Sequence, residues 1–193
     1  MESRQIILAG IGMGSGDVIT EEVRQLIEEA DCLIGAERMI TSAQKIRSMN
    51  GLSMRQCERN NRNEGVFIKE YRTEEIVSYI KEHKEHSKIG ILLSGDTGFY
   101  SGSRQLLELW KREEANWQVR VFPGISSVSA LCAELKTSWE DLYLTSAHGR
   151  DCDPSALLEQ HKRVFLLLGG KDPLAGLCRR LTEAGWGHAG VRA

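Results

Sequence analysis

The hydrophobic positions fall into two alternating rhythms. Short apolar, β-branched runs such as QIILAG at 5–10 and CLIGA at 32–36 read as buried strands, and between them lies a stretch of helical period from about Thr20 to Ala30. Strand, helix and strand in that order make a βαβ opening. The pattern continues with a helix across 37–48, a short strand near MRQC (54–57), a helix across 74–86, the strand KIGILLS at 88–94 and a helix across 102–114. Such alternation predicts a largely parallel sheet covered on both faces. Thr20 is placed to cap the first long helix, with Glu21 and Glu22 where the helix dipole favours negative charge.

The polar stretch at 115–119 interrupts the rhythm, and RVFPGISSVSALCAEL opens what reads as a second unit. The expected division is therefore an N-terminal α/β domain over 1–116 and a C-terminal α/β domain over 117–193. The second unit is expected to hold a helix across 126–136, a strand DLYLTSA, a helix across 154–161, a strand RVFLLLGG and a helix across 173–184 ended by Gly185. The final GHAGVRA reads as the start of an unfinished strand.

Composition narrows the function classes. At 193 residues and 41% hydrophobic content the chain fills a globular core. A net charge of -2 without a one-sign run excludes a nucleic-acid or membrane partner held by bulk electrostatics, and no apolar run approaches the ~20 residues of a membrane span. Five scattered cysteines without a C-x-x-C pair argue against a disulfide framework or a zinc site, so no metal is expected and a reducing cytoplasm fits. H-E-x-x-H, G-x-S-x-G and G-K-[ST] do not occur, which removes the usual signatures of zinc hydrolase, serine hydrolase and P-loop chemistry.

Four segments carry candidate chemistry. In GIGMGSGD at 10–17, Gly12, Met13 and Gly14 follow a strand, where glycines let the main chain approach a ligand. The dinucleotide fingerprint fails because Ser15 or Asp17 stands where its third glycine belongs, although Glu37 imitates a ribose-binding acid. In LLSGDTGFYSGS, Asp96 ends a strand and either bonds a ligand or turns the backbone, and Tyr100 offers a hydroxyl and an aromatic face. In FPGISSVSAL, Ser126 and Ser127 either cap a helix or present hydroxyls and amides. In LTSAHGRD, His148 and Arg150 follow a strand and point from a sheet edge.

In this order and spacing the segments resemble the tetrapyrrole methylases. ADCLIGAERMI, SGDTGFYS, PGISSVSALCAEL, the W-x-D at 139–141 and SAHGRD are most similar to the branch that methylates C-5 of the ring, the cobalt-precorrin-7 and precorrin-6Y enzymes. The resemblance covers nearly all of 5–185, with Met13 and Thr97 standing where relatives carry proline. It implies two small α/β domains with a cofactor cleft between them. It also implies a C-terminal domain cut short relative to relatives, S-adenosylmethionine as methyl donor with S-adenosylhomocysteine as product, and a homodimer. Carried over by position, Met13, Asp96, Phe99, Ser126, Ser127 and Leu168 are the expected cofactor contacts. Arg38, Tyr100, Arg104, His148 and Arg150 are the expected contacts to the carboxylate-rich tetrapyrrole. No residue is assigned as acid or base, and a separate decarboxylating C-15 methyltransferase is a possible partner. Two alternatives stay open: a nucleotide-dependent oxidoreductase on a Rossmann-like fold, and a tetrapyrrole-binding protein without activity.

Overall fold

A computed structural model describes residues 4–14, 16–51, 65–112, 117–148, 152–169 and 173–193. Among these residues the strands are β1 (Gln5–Gly10), β2 (Cys32–Gly35), β3 (Val66–Lys69), β4 (Lys88–Leu93), β5 (Gln118–Phe122), β6 (Tyr143–Ser146) and β7 (Val164–Leu167). Its helices are α1 (Glu21–Glu29), α2 (Glu37–Gly51), α3 (Thr73–Glu82), α4 (Ser103–Arg112), α5 (Ser127–Glu134), α6 (Pro154–Gln160) and α7 (Pro173–Glu183). The chain divides into two compact units, 1–127 and 128–193.

In the first unit five parallel strands run in the order β3-β2-β4-β1-β5. The two faces follow from the alternation of side chains along each strand. Ile7, Ala9 and Ile11 pack with Val23, Leu26 and Ile27 of α1 and with Met39, Ile40 and Ala43 of α2. Ile6 and Leu8 pack on the other face with Ile76, Val77 and Ile80 of α3 and with Leu106 and Trp110 of α4. Right-handed crossovers require this partition. The connections through α1 and α2 step toward β3 and those through α3 and α4 step toward β5, so the helices land on opposite faces. The loops leaving β4 and β1 step in opposite directions to opposite faces, and ligands in open α/β sheets bind outside the carboxyl ends of strands at such a reversal.

Local signals behave as the sequence predicts at several ends. The Thr20 hydroxyl oxygen accepts the Val23 N–H at 3.4 Å, and Gly185 ends α7 at φ +86° while Trp186 N–H returns to Leu181 O at 2.7 Å. Two expectations change, and one strand is new. β5 pairs with β1 from Gln5↔Gln118 to Ala9↔Phe122, so this strand belongs to the first sheet and the break lies after Ser127 rather than before residue 117. β3 at Val66–Lys69 was not expected, and the strand expected near 54–57 falls outside the described residues. The closing GHAGVRA runs as turns and irregular backbone rather than as a strand.

The second unit holds a parallel pair, β6 and β7, from Tyr143↔Val164 to Ser146↔Leu167. The Asp153 carboxylate caps α6 by accepting the Ser155 N–H at 2.9 Å, with Pro154 in the first turn. No described helix is long and apolar enough to cross a membrane.

Candidate functional site

The carboxyl ends of β4, β1 and β5 come together on glycine. A Cβ on Gly10 would stand 2.6 Å from Gly95 O and 2.8 Å from Gly124 N, and one on Gly124 would stand 2.3 Å from Gly95 O. Gly10 and Gly124 therefore admit no side chain, whereas a Cβ on Gly95 would meet nothing nearer than 4.0 Å. Gly12 and Gly95 then form an isolated bridge, with Gly12 N–H donating to Gly95 O at 3.1 Å and Gly95 N–H to Gly12 O at 2.8 Å. Both need positive φ, +58° and +69°. The loop after β1 is thereby tied to the loop after β4, across the reversal in strand order.

Asp96 secures the third side. One carboxylate oxygen accepts the Gly98 N–H at 2.8 Å and the other the Gly124 N–H at 3.0 Å. The turn reading of this residue is therefore correct, and it does not exclude ligand binding, since each carboxylate oxygen has a second lone pair. Thr97 is buried and donates its hydroxyl to Phe122 O at 3.4 Å, while Ser103 donates its hydroxyl to Thr97 O. Thr97, Ser94 and the glycines 10, 95 and 124 build the site framework but carry no motif as single residues. Their common signal is position just past or at the end of a strand.

Arg38, at the first turn of α2, reaches across the same edge. Its guanidinium donates to Met13 O at 3.1 Å and to Ser94 Oγ at 2.7 Å. It joins the β1 and β4 loops while staying exposed. Met13, Tyr100 and Ile125, from the loops after β1, β4 and β5, are each more than two-fifths exposed. Tyr100 holds φ +47°, a costly conformation for a side-chain-bearing residue, and meets Phe99 edge-on at 5.0 Å. Ser126 and Ser127 follow Ile125 and are half-buried, with Ser127 opening α5.

The remaining expected site residues are placed as follows on their own elements. Arg104 is highly exposed and pairs with Glu108 one turn along α4 at 2.8 Å. His148 and Leu168 belong to the second unit, after β6 and β7; the His148 ring packs where a Cβ on Gly169 would stand 2.6 Å from its Nδ1. Arg150 lies outside the described residues. Glu37 is paired with Lys69 at 2.7 Å, and that ammonium holds its carboxyl below the usual glutamate range. Dinucleotide-binding sheets place β1 beside β2, whereas here β4 separates them. Strand order and the pairing of Glu37 both count against the oxidoreductase alternative. Among the described residues four cysteines are free thiols.

The family model described as Tetrapyrrole (Corrin/Porphyrin) Methylases matches residues 5–192. A Methanocaldococcus jannaschii protein named probable cobalt-precorrin-7 C(5)-methyltransferase is 27% identical over 84% of this chain and 70% of its own length. The cobalt-precorrin-7 C(5)-methyltransferase of Salmonella typhimurium is 27% identical over 95% of this chain and 80% of its own. Among solved structures, a cobalt precorrin-4 methyltransferase aligns with TM-score 0.67 at 22% identity, over 94% of this chain and 75% of that one.

Proposed function

The chain belongs to the tetrapyrrole methylases, and on that premise we propose that it transfers the methyl group of S-adenosylmethionine to C-5 of a precorrin in cobalamin biosynthesis. The observation that carries the reading is the glycine junction of β4, β1 and β5 at the reversal of strand order, within a chain matched by the family along nearly its whole length. S-adenosylmethionine supplies a methyl group on a sulfonium, open to attack by an electron-rich ring carbon.

The residues at the junction fit such a ligand. A would-be Cβ on Gly12 meets Ile125 and Val18 at ordinary contact distances of 3.7–3.8 Å, so its positive φ rather than crowding calls for glycine there. Met13, Tyr100 and Ile125 give exposed apolar surface for a thioether and a purine. Gly12, Met13, Gly14, Asp96, Phe99, Ser126, Ser127 and Leu168 are assigned to the cofactor, with Asp96 accepting from a ligand hydroxyl or amino group on its remaining lone pairs. Arg38, Tyr100, Arg104, His148 and Arg150 are assigned to the carboxylates of the tetrapyrrole. Methyl transfer of this kind depends on alignment and exclusion of water more than on proton transfer. The enzyme is assigned to the cytoplasm as a homodimer, and a separate decarboxylating C-15 methyltransferase is its proposed neighbour in the sequence of reactions. Sedimentation of a micromolar solution as a monomer would refute the dimer.

Calorimetry with S-adenosylhomocysteine tests the cofactor assignment, with affinity lowered in Asp96→Asn; NAD binding that S-adenosylhomocysteine does not displace would sink it. Transfer of labelled methyl to a precorrin tests the reaction. Arg150→Ala should weaken tetrapyrrole binding by about 1.5–3 kcal/mol, the value of a hydrogen bond to a charged group, and spare cofactor affinity. Equal loss of both would remove Arg150 from the substrate site.

A further inference from the structure

The amino edge of the first sheet carries a second cluster that the methyl-transfer reading does not use. His83, Glu85 and His86 lie in the turn between α3 and β4, and one donor atom from each falls within 4.8 Å of the other two. His83 Nδ1 lies 2.8 Å from Glu85 Oε1, and His86 Nε2 lies 3.7 Å from the same oxygen. Imidazole nitrogens and a carboxylate oxygen bind a first-row divalent metal at about 2.0–2.2 Å, which puts neighbouring donors roughly 3–4 Å apart. The spacing here needs only small side-chain rotations to reach that.

The donors stand on fixed supports. Arg4 donates to the carbonyls of Ile80 at 2.8 Å, His83 at 2.6 Å and His86 at 2.9 Å. That one guanidinium satisfies backbone oxygens at the end of α3, so the three side chains are not needed to close the helix. The His83 ring stacks on Tyr79 with centroids 4.0 Å apart, and the His86 ring is near-parallel to Tyr79 at 6.3 Å. His86 is buried, and the Tyr79 hydroxyl lies 3.4 Å from its Nε2. The cluster sits at a helix C-terminus, where the dipole favours a cation. Behind it the Asp31 carboxylate holds the Ser87 and Lys88 N–H groups at 2.9 and 2.8 Å. Glu85 is exposed, which leaves an entry path.

We propose that His83, Glu85 and His86 form a mononuclear site for a divalent transition metal of zinc type, with water completing the coordination. The ion would clip the end of α3 to the start of β4, on the sheet edge opposite the glycine junction. Cysteine spacing gave no hint of it, because the ligand set contains no thiol.

The test uses the full chain, freed of metal by chelator and then dialysed. Zinc titrated by calorimetry should bind with one equivalent, its affinity weakened about tenfold or more in His83→Gln and in Glu85→Gln, while His188→Gln leaves it intact. Cobalt(II) should give visible d–d bands without a near-ultraviolet thiolate band, and zinc should raise the melting temperature of the parent but not of Glu85→Gln. Glu85 is exposed, so its replacement keeps the test valid even if His83→Gln folds poorly. Absence of uptake, uptake untouched by either substitution, or a thiolate band would overturn the proposal.

Discussion

Asp31 shows how one partly exposed carboxylate organises a sheet edge. Burial opposes its charge, but hydrogen bonds from the Lys88 N–H and from the Ser87 hydroxyl and N–H outweigh that and hold its carboxyl below the usual aspartate range. A depressed folded value means the stabilisation is complete above the unfolded aspartate value near 4 and is lost as pH falls through the lower folded one. Asp31→Asn should therefore cost on the order of 1 kcal/mol at pH 7, discounted for exposure. Urea denaturation at pH 7 and near pH 3 checks it: the gap between parent and variant should close in acid. Nothing in the sequence singled out Asp31, because a lone Asp before a strand has no periodic or motif signal. Asp96 was legible, as it stood between glycines at a strand end, yet sequence alone left its turn and ligand roles open, and its geometry serves the first while leaving room for the second.

Glycines separate sharply at the level of elements. Gly124 lies at the junction of three strand ends, and an added methyl would meet backbone atoms at 2.3–2.6 Å that have no room to withdraw. Gly176 lies inside α7 with nothing within 4 Å of its would-be Cβ. Gly124→Ala should thus destabilise by about 1–3 kcal/mol from overpacking, and Gly176→Ala should stabilise by roughly 0.5–1 kcal/mol from helix propensity. Chemical denaturation of both variants measures the contrast. Helices and central strands were readable because their apolar periods are long and strong, as in β1 and β4. β5 was missed as a member of the first sheet because QVRVF alternates like a half-exposed edge strand, and pairing partners distant in sequence leave no local trace. β3 escaped for the same reason, with only four residues and exposed ends.

The whole molecule is uneven in its burial. β1, β2 and β4 lie inside a five-stranded sheet with helices on both faces, whereas among the described residues of the second unit β6 and β7 pair only with each other. Two strands are marginal without further packing. Amide hydrogen exchange should therefore be slowest in Ile6–Ala9, Leu33–Ile34 and Ile89–Leu92, and faster throughout β6 and β7. Equal protection in the two sheets would contradict this ranking. Fold class was legible at this scale from the alternation of strand and helix, but strand order was not, since either neighbour of β1 satisfies the same apolar pattern.

That order has a consequence during synthesis. β1 leaves the ribosome well before its hydrogen-bonding partners β4 and β5, with Gln5 set against Lys88 and Gln118. At about 5–20 residues per second, the IILAG segment waits on the order of ten seconds before either neighbour exists. During that interval an apolar strand has both edges open, the condition in which a nascent segment is exposed to aggregation.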